Sequence, residues 1–287
     1  MDEFTVVMKA RELVNKVRPS TIPVRVEDYV NQLGGALRVE HDLDDNEPGY
    51  SFESDGKFYV CVNGNDRVER WRFTACHEAA HIDLKLPSEH THGPWWSYAK
   101  RPLNEIFCDV FASELLLPYN LFKPQVDKSE LSLASVDRLA KDFLASSTAT
   151  GSRFAALARP PCAFVLSEQG KVRYASRSTA LRDARAWIPF GRPLPSGSVS
   201  ERLCAGGVCD GPEEIEADVW FNDWSRGGAL LEDARYSKQW NQSIALLWFE
   251  DEEIPHPTHD RRQREEDEFG LAELDGVLPW PGKKRRR

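Results

Sequence analysis

The sequence predicts an α+β protein of more than one unit, and three observations predict it. Apolar residues recur at helical spacing in some segments and alternate at period two in others. Helical segments dominate up to about residue 160, whereas strand signals dominate from Cys162 to about Glu250. The length, 287 residues, exceeds what one hydrophobic core usually organises.

Taken in order, Val6, Val7, Ala10, Leu13, Val14 and Val17 recur near period 3.6, so Glu3 to Val17 is predicted as an amphipathic helix. A proline-rich loop follows, then a short helix from about Val26 that Gly34 and Gly35 stop. "ALRVEHDL", "GYSFESDG" and "KFYVCVNG" read as three short strands, the last two joined by a Ser-Asp-Gly turn. Helical spacing returns at Trp71, Ala75, Ala79 and Ile82. Residues 87–102 form a loop rich in proline and aromatics, and a second strong helix runs from Leu103 to Leu117, ended by Pro118. Two short helices separated by "LASS" then have helix-turn-helix shape. After "RPPC" the signals change to strands at "CAFVLSE", "KVRYASRS", "ADVWF" and "SIALLWFED". From Asp251 onward, charge runs and few apolar anchors predict a disordered tail.

Composition narrows the function classes. Apolar residues make up 41% and charged residues 29%, which suits a soluble globular chain. A net charge of −9 argues against coating nucleic acid by charge alone. No N-terminal apolar region reads as a secretory signal, and "SIALLWF" is too short to span a bilayer. Cysteines at 61, 76, 108, 162, 204 and 209 lack C-x-x-C spacing, pointing to free thiols in a reducing cytoplasm. The alternative for Cys204 and Cys209, which flank "AGGV", is a loop disulfide. The predicted location is cytoplasmic, without membrane association.

The chemistry sits in "TACHEAAHIDL". His77 and His81 stand four apart on a predicted helix, so both imidazoles reach one ion. Glu78, one position after the first histidine, is placed to act as general base toward a water at the ion's open position. Taken alone, the motif leaves open a helix with two ordinary histidines. A hydrolytic metal usually takes a third protein ligand, and the downstream candidates are His90, His92, Glu105 and Asp109. Glu105 lies early on the second helix with Asp109 one turn later, a pair that suits a ligand carboxylate plus one that orients a ligating histidine. The bland reading of that pair is a solvated acidic stripe. His90 and His92 read as loop histidines, with metal ligation or oxyanion stabilisation as alternatives, and Tyr98 and Tyr119 are further oxyanion candidates.

"IPVRVEDYVNQLGG", "KFYVCVNGND", "RWRFTACHEAAHIDL" and "NEIFCDVFASELLLP" together resemble the ImmA/IrrE family of zinc metallopeptidases, over roughly Ile22 to Pro118. The resemblance implies a zincin-like fold, zinc held by His77, His81 and Glu105, and Glu78 as catalytic base. Three positions depart from the family pattern. Ala80 stands where glycine is common, and Cys76 and Cys108 stand where alanine is usual. The cysteines read as small buried side chains, with redox or metal sensitivity as the alternative. The order of segments also resembles the radiation-response members of the family. It implies a peptidase domain over 1–125, a helix-turn-helix segment over 126–160, a smaller GAF-like α+β domain over 161–250 and a charged tail over 251–287.

The function so implied is limited proteolysis of a helix-turn-helix transcriptional repressor, which derepresses stress-response or mobile-element genes. Manganese is the alternative to zinc, since two histidines and a carboxylate suit several divalent ions. A second reading, from a different class, is a DNA-binding regulator that uses the helix-turn-helix segment and keeps the peptidase fold as scaffold. Against direct DNA binding, residues 127–159 carry five Lys/Arg and four Asp/Glu, too even a balance for an electrostatic footprint. A third is a ligand-sensing role for 162–250, with no ligand identified by the strands.

Overall fold

The computed structural model describes residues 1–44, 47–87, 102–221 and 228–250. It is a mixed α and β structure that divides into two compact units. Of the described residues, 1–87 and 102–118 form the first unit and 119–221 with 228–250 the second.

The first unit opens with α1 (Glu3–Val17), capped by Asp2, whose side chain accepts the Thr5 amide at 2.9 Å. Its apolar stripe of Val6, Val7, Ala10, Leu13 and Val14 is buried and packs on α4 (Leu103–Leu116). Between them in sequence come α2 (Val26–Gln32) and the strands β1 (Gly35–Glu40), β2 (Gly49–Ser54) and β3 (Lys57–Asn63). The sheet order is β1-β3-β2, with β1 parallel to β3 and β2 antiparallel, so β2 forms an edge. Asp55 and Gly56, both at positive φ, close the β2–β3 hairpin. The long helix α3 (Val68–Leu84) crosses the sheet at β2 and β3 and lies against α4. Two buried hydrogen bonds fasten this layer: Tyr29 Oη donates to the Leu115 carbonyl at 3.0 Å, and Arg72 to the Val24 carbonyl at 2.8 Å.

The second unit begins with α5 (Tyr119–Val126), a helix the apolar pattern does not predict, followed by α6 (Leu133–Phe143) and α7 (Ser147–Leu157). Its sheet is antiparallel, in the order β5-β4-β8-β7-β6. The strands are β4 (Cys162–Glu168), β5 (Lys171–Arg177), β6 (Glu213–Glu216), β7 (Ala229–Ser237) and β8 (Gln242–Trp248). α7 covers one face at β4, β5 and β8, and it comes close because Gly151 lies directly on Phe164. Ala163, Val165, Ala245 and Leu247 point the other way, into a cluster completed by Trp220, Phe221 and Leu230. Hence β4 is buried along its whole length, which explains its continuous apolar run. Two short helices, α8 (Thr179–Asp183) and α9 (Val199–Cys204), follow β5.

One strand expectation fails. "ADVWF" is not extended: Ala217–Val219 is a single 3-10 turn, and Trp220 and Phe221 are buried by inserting into the apolar cluster. The alternation came from end-on packing instead of a pleat. β6 and β7 appear where no strand is predicted. All six cysteines are free thiols, so Cys204 and Cys209 are not bridged. The expected tail lies outside the described residues.

Candidate metal centre

α3 and α4 supply the candidate site side chains. Alanines at 75, 79 and 80 are fully buried, so the helix packs closely and carries polar groups into the interior with it. His77, Glu78 and His81 are each less than a tenth exposed, as is Glu105 in the first turn of α4.

His77 Nε2 lies 3.1 Å from His81 Nε2 and 3.1 Å from Glu105 Oε2. His81 Nε2 lies 3.5 Å from Glu105 Oε1. On the far side of each ring, His77 Nδ1 faces Asp109 Oδ1 at 2.9 Å and His81 Nδ1 faces the Leu86 carbonyl at 3.1 Å. A carboxylate and a carbonyl only accept, so each neutral ring carries its hydrogen on Nδ1 and turns a lone pair inward from Nε2. With both rings neutral, two lone pairs and a carboxylate converge on one point. Such a set calls for a cation.

The spacing suits one as well. Donors about 2.1 Å from a tetrahedral ion stand roughly 3.4 Å apart, close to the 3.1–3.5 Å seen here. Proton affinity points the same way. Burial pushes the His77 imidazole down, but Asp109 and Glu105 more than offset this and raise it to about 9.

Cys108 also comes near: its Sγ and one nitrogen of each histidine lie within 4.8 Å of one another. That grouping competes with Glu105 for the third position. Glu105 has the stronger claim, because its oxygens are already at donor spacing from both histidines. Cys76 is buried and its thiol is pushed up to about 12 by that burial, away from reactivity.

Glu78, 1% exposed, accepts a hydrogen bond from Ser51 Oγ on β2 at 2.7 Å. Sequence pattern gives no hint of this partner. Alternation puts Ser51 on one face of its strand, but not beneath a particular turn of α3. The Leu86 carbonyl is equally invisible, being backbone. Among the remaining candidates, Tyr119 begins α5 in the second unit and is 46% exposed. His90, His92 and Tyr98 lie outside the described residues.

Residues 32–154 match the peptidase M78 family model, described as the IrrE N-terminal-like domain. Among solved structures, a Mycobacterium tuberculosis transcriptional regulator is similar at 15% identity with a TM-score of 0.52. The alignment covers 85% of this chain and 76% of that one, a likeness of fold. No curated protein matches the chain.

Proposed function

We propose, from the match of residues 32–154 to the IrrE N-terminal-like domain, that the chain is a zinc-dependent endopeptidase of the ImmA/IrrE family that cleaves a helix-turn-helix transcriptional repressor. The observation that carries this reading is the convergence of His77 Nε2, His81 Nε2 and the Glu105 carboxylate at 3.1–3.5 Å around one point. These three residues would hold the ion, zinc by family resemblance and manganese as the alternative. When bound, the ion supplies Lewis-acid activation of a peptide carbonyl and of the attacking water.

The chain's own groups do the rest. Glu78 takes a proton from the attacking water and returns it to the departing amine nitrogen. Asp109 holds His77 in the tautomer that turns Nε2 inward, and the Leu86 carbonyl does the same for His81. Burial around Glu78 and Glu105 strengthens these interactions by excluding bulk water. Repressor cleavage would release stress-response or mobile-element genes in the cytoplasm, and among the described residues no helix is long and apolar enough to cross a membrane. We read α6–α7 as the helix-turn-helix segment and the five-stranded sheet as GAF-like, a regulatory attachment to the peptidase.

A second reading, direct DNA binding through α6–α7, is suggested by the mycobacterial protein of similar fold, a transcriptional regulator. The disposition of α7 weighs against it. That helix buries Thr150, Gly151, Arg153, Phe154 and Ala155, which leaves little of it to read bases.

The test compares the full chain with Glu78→Gln. Both should bind one equivalent of zinc, and only the wild type should cut a helix-turn-helix repressor encoded nearby, with chelator abolishing the cut. The substitution should lower cleavage about 100-fold or more. Equal cleavage by both proteins, or absence of metal uptake, would sink the peptidase reading.

A further inference from the structure

Glu78 is buried and must be aimed, and the edge strand β2 does the aiming. Gly49 and Ser51 lie on the same face of β2, opposite Val62 and Val60 of β3. Thr74 and Glu78 lie one turn apart on α3, which packs across that face. A Cβ at Gly49 would sit 2.7 Å from Thr74 Cγ2 and 2.5 Å from the Cys61 carbonyl, so only glycine lets the strand come this close to the helix. Two strand residues advance about 6.6 Å and four helical residues about 6 Å. The steps match. A close Gly49–Thr74 approach therefore delivers Ser51 to Glu78 at the next rung, where Ser51 Oγ donates to Glu78 Oε2 at 2.7 Å. The outer face of the strand is occupied otherwise, by Tyr50 and Phe52 in a ring stack with Tyr59.

We propose that Ser51 is a positioning residue for Glu78, its hydroxyl fixing one carboxylate oxygen so that the other faces the attacking water, with Gly49 setting the distance. The inference rests on the peptidase reading above and adds a residue to it. The hydroxyl fixes the direction of the carboxylate, not the binding of substrate or metal. Its loss should therefore appear in turnover alone.

The experiment uses the full chain with zinc, comparing wild type, Ser51→Ala, Ser51→Thr and, as a control on the same strand, Ser54→Ala. Ser51→Ala should lower kcat about 10- to 100-fold, with KM and zinc affinity unchanged. Ser51→Thr, which keeps the hydroxyl, should recover most of that loss, and Ser54→Ala should match the wild type. Crystal structures of wild type and Ser51→Ala supply a readout independent of turnover: the Glu78 carboxylate should leave its wild-type position in the variant. An unmoved Glu78, or a kcat within about twofold of wild type, overturns the proposal. If the wild type cuts no repressor, the peptidase reading fails, and the crystallographic comparison still decides whether Ser51 holds Glu78.

Discussion

His77 is held on both sides, by Asp109 on one ring nitrogen and facing Glu105 and His81 with the other. Removing Asp109 as Ala leaves every proposed ligand in place but frees the ring to rotate and change tautomer. Zinc affinity should fall about 10- to 100-fold, measurable by competition with a chromophoric chelator. The same pairing sets a pH dependence. In the metal-free protein His77 keeps its proton up to about pH 9, because the carboxylates outweigh the effect of burial. Metal uptake below that pH must expel the proton. Apparent affinity should therefore rise about tenfold per unit as pH increases toward 9, then level off. In Asp109→Ala the levelling should move to lower pH, since the main group lifting His77 is gone. Site residues of this kind were legible because two histidines and two carboxylates each repeat at one helical turn. Ser51 was not, since contact between a strand and a distant helix leaves no mark in local spacing.

At the scale of elements, α7 and β4 show how a glycine inside a helix can be required. A methyl at Gly151 would lie 2.3 Å from a ring carbon of Phe164, which is fully buried. Alanine would gain about 1 kcal/mol in helix propensity. Against this, displacing a packed phenyl ring costs about 1–3 kcal/mol. Gly151→Ala should destabilise the protein, seen as a lower denaturant midpoint at unchanged slope. The helices α1, α3 and α4 follow directly from apolar periodicity. β7 does not, and the reason lies in its charges. "ALLEDARYS" spoils its own alternation with Glu232, Asp233 and Arg235. Each of these has a partner that lies far off in sequence: Asp233 accepts the Leu133 amide at 2.7 Å, and Arg235 pairs with Asp137 at 2.7 Å. "ADVWF" misleads in the opposite direction, for its aromatics are buried without any strand.

Over the whole molecule, each unit has its own interior, and the second is organised around a buried acid. Glu232 is fully buried and receives the Val199 and Ser200 amides, the Ser200 hydroxyl and the Trp220 indole, at 2.6–3.0 Å. It ties the start of α9 to β7 and anchors the turn at Ala217–Val219. Glu232→Ala would strand these donors away from water, and the loss should be about 3–5 kcal/mol. Calorimetry should show it as a lowered transition, while zinc uptake by the first unit at low temperature is preserved. The α+β class was legible from the shift in periodicity near Cys162. The grouping of α5 to α7 with the strands was not, because helix spacing does not reveal which sheet a helix covers.

The end of α3 has a different kind of consequence. Leu86 donates its amide to the His81 carbonyl at 3.1 Å and accepts from the His81 ring with its own carbonyl, after a left-handed Lys85. On the Leu86 side both contacts are made by main-chain atoms. These contacts therefore set no requirement on the side chain at 86, whereas they fix the count of residues from 81 to 86. An alignment column there would look unconstrained in letters and rigid in gaps.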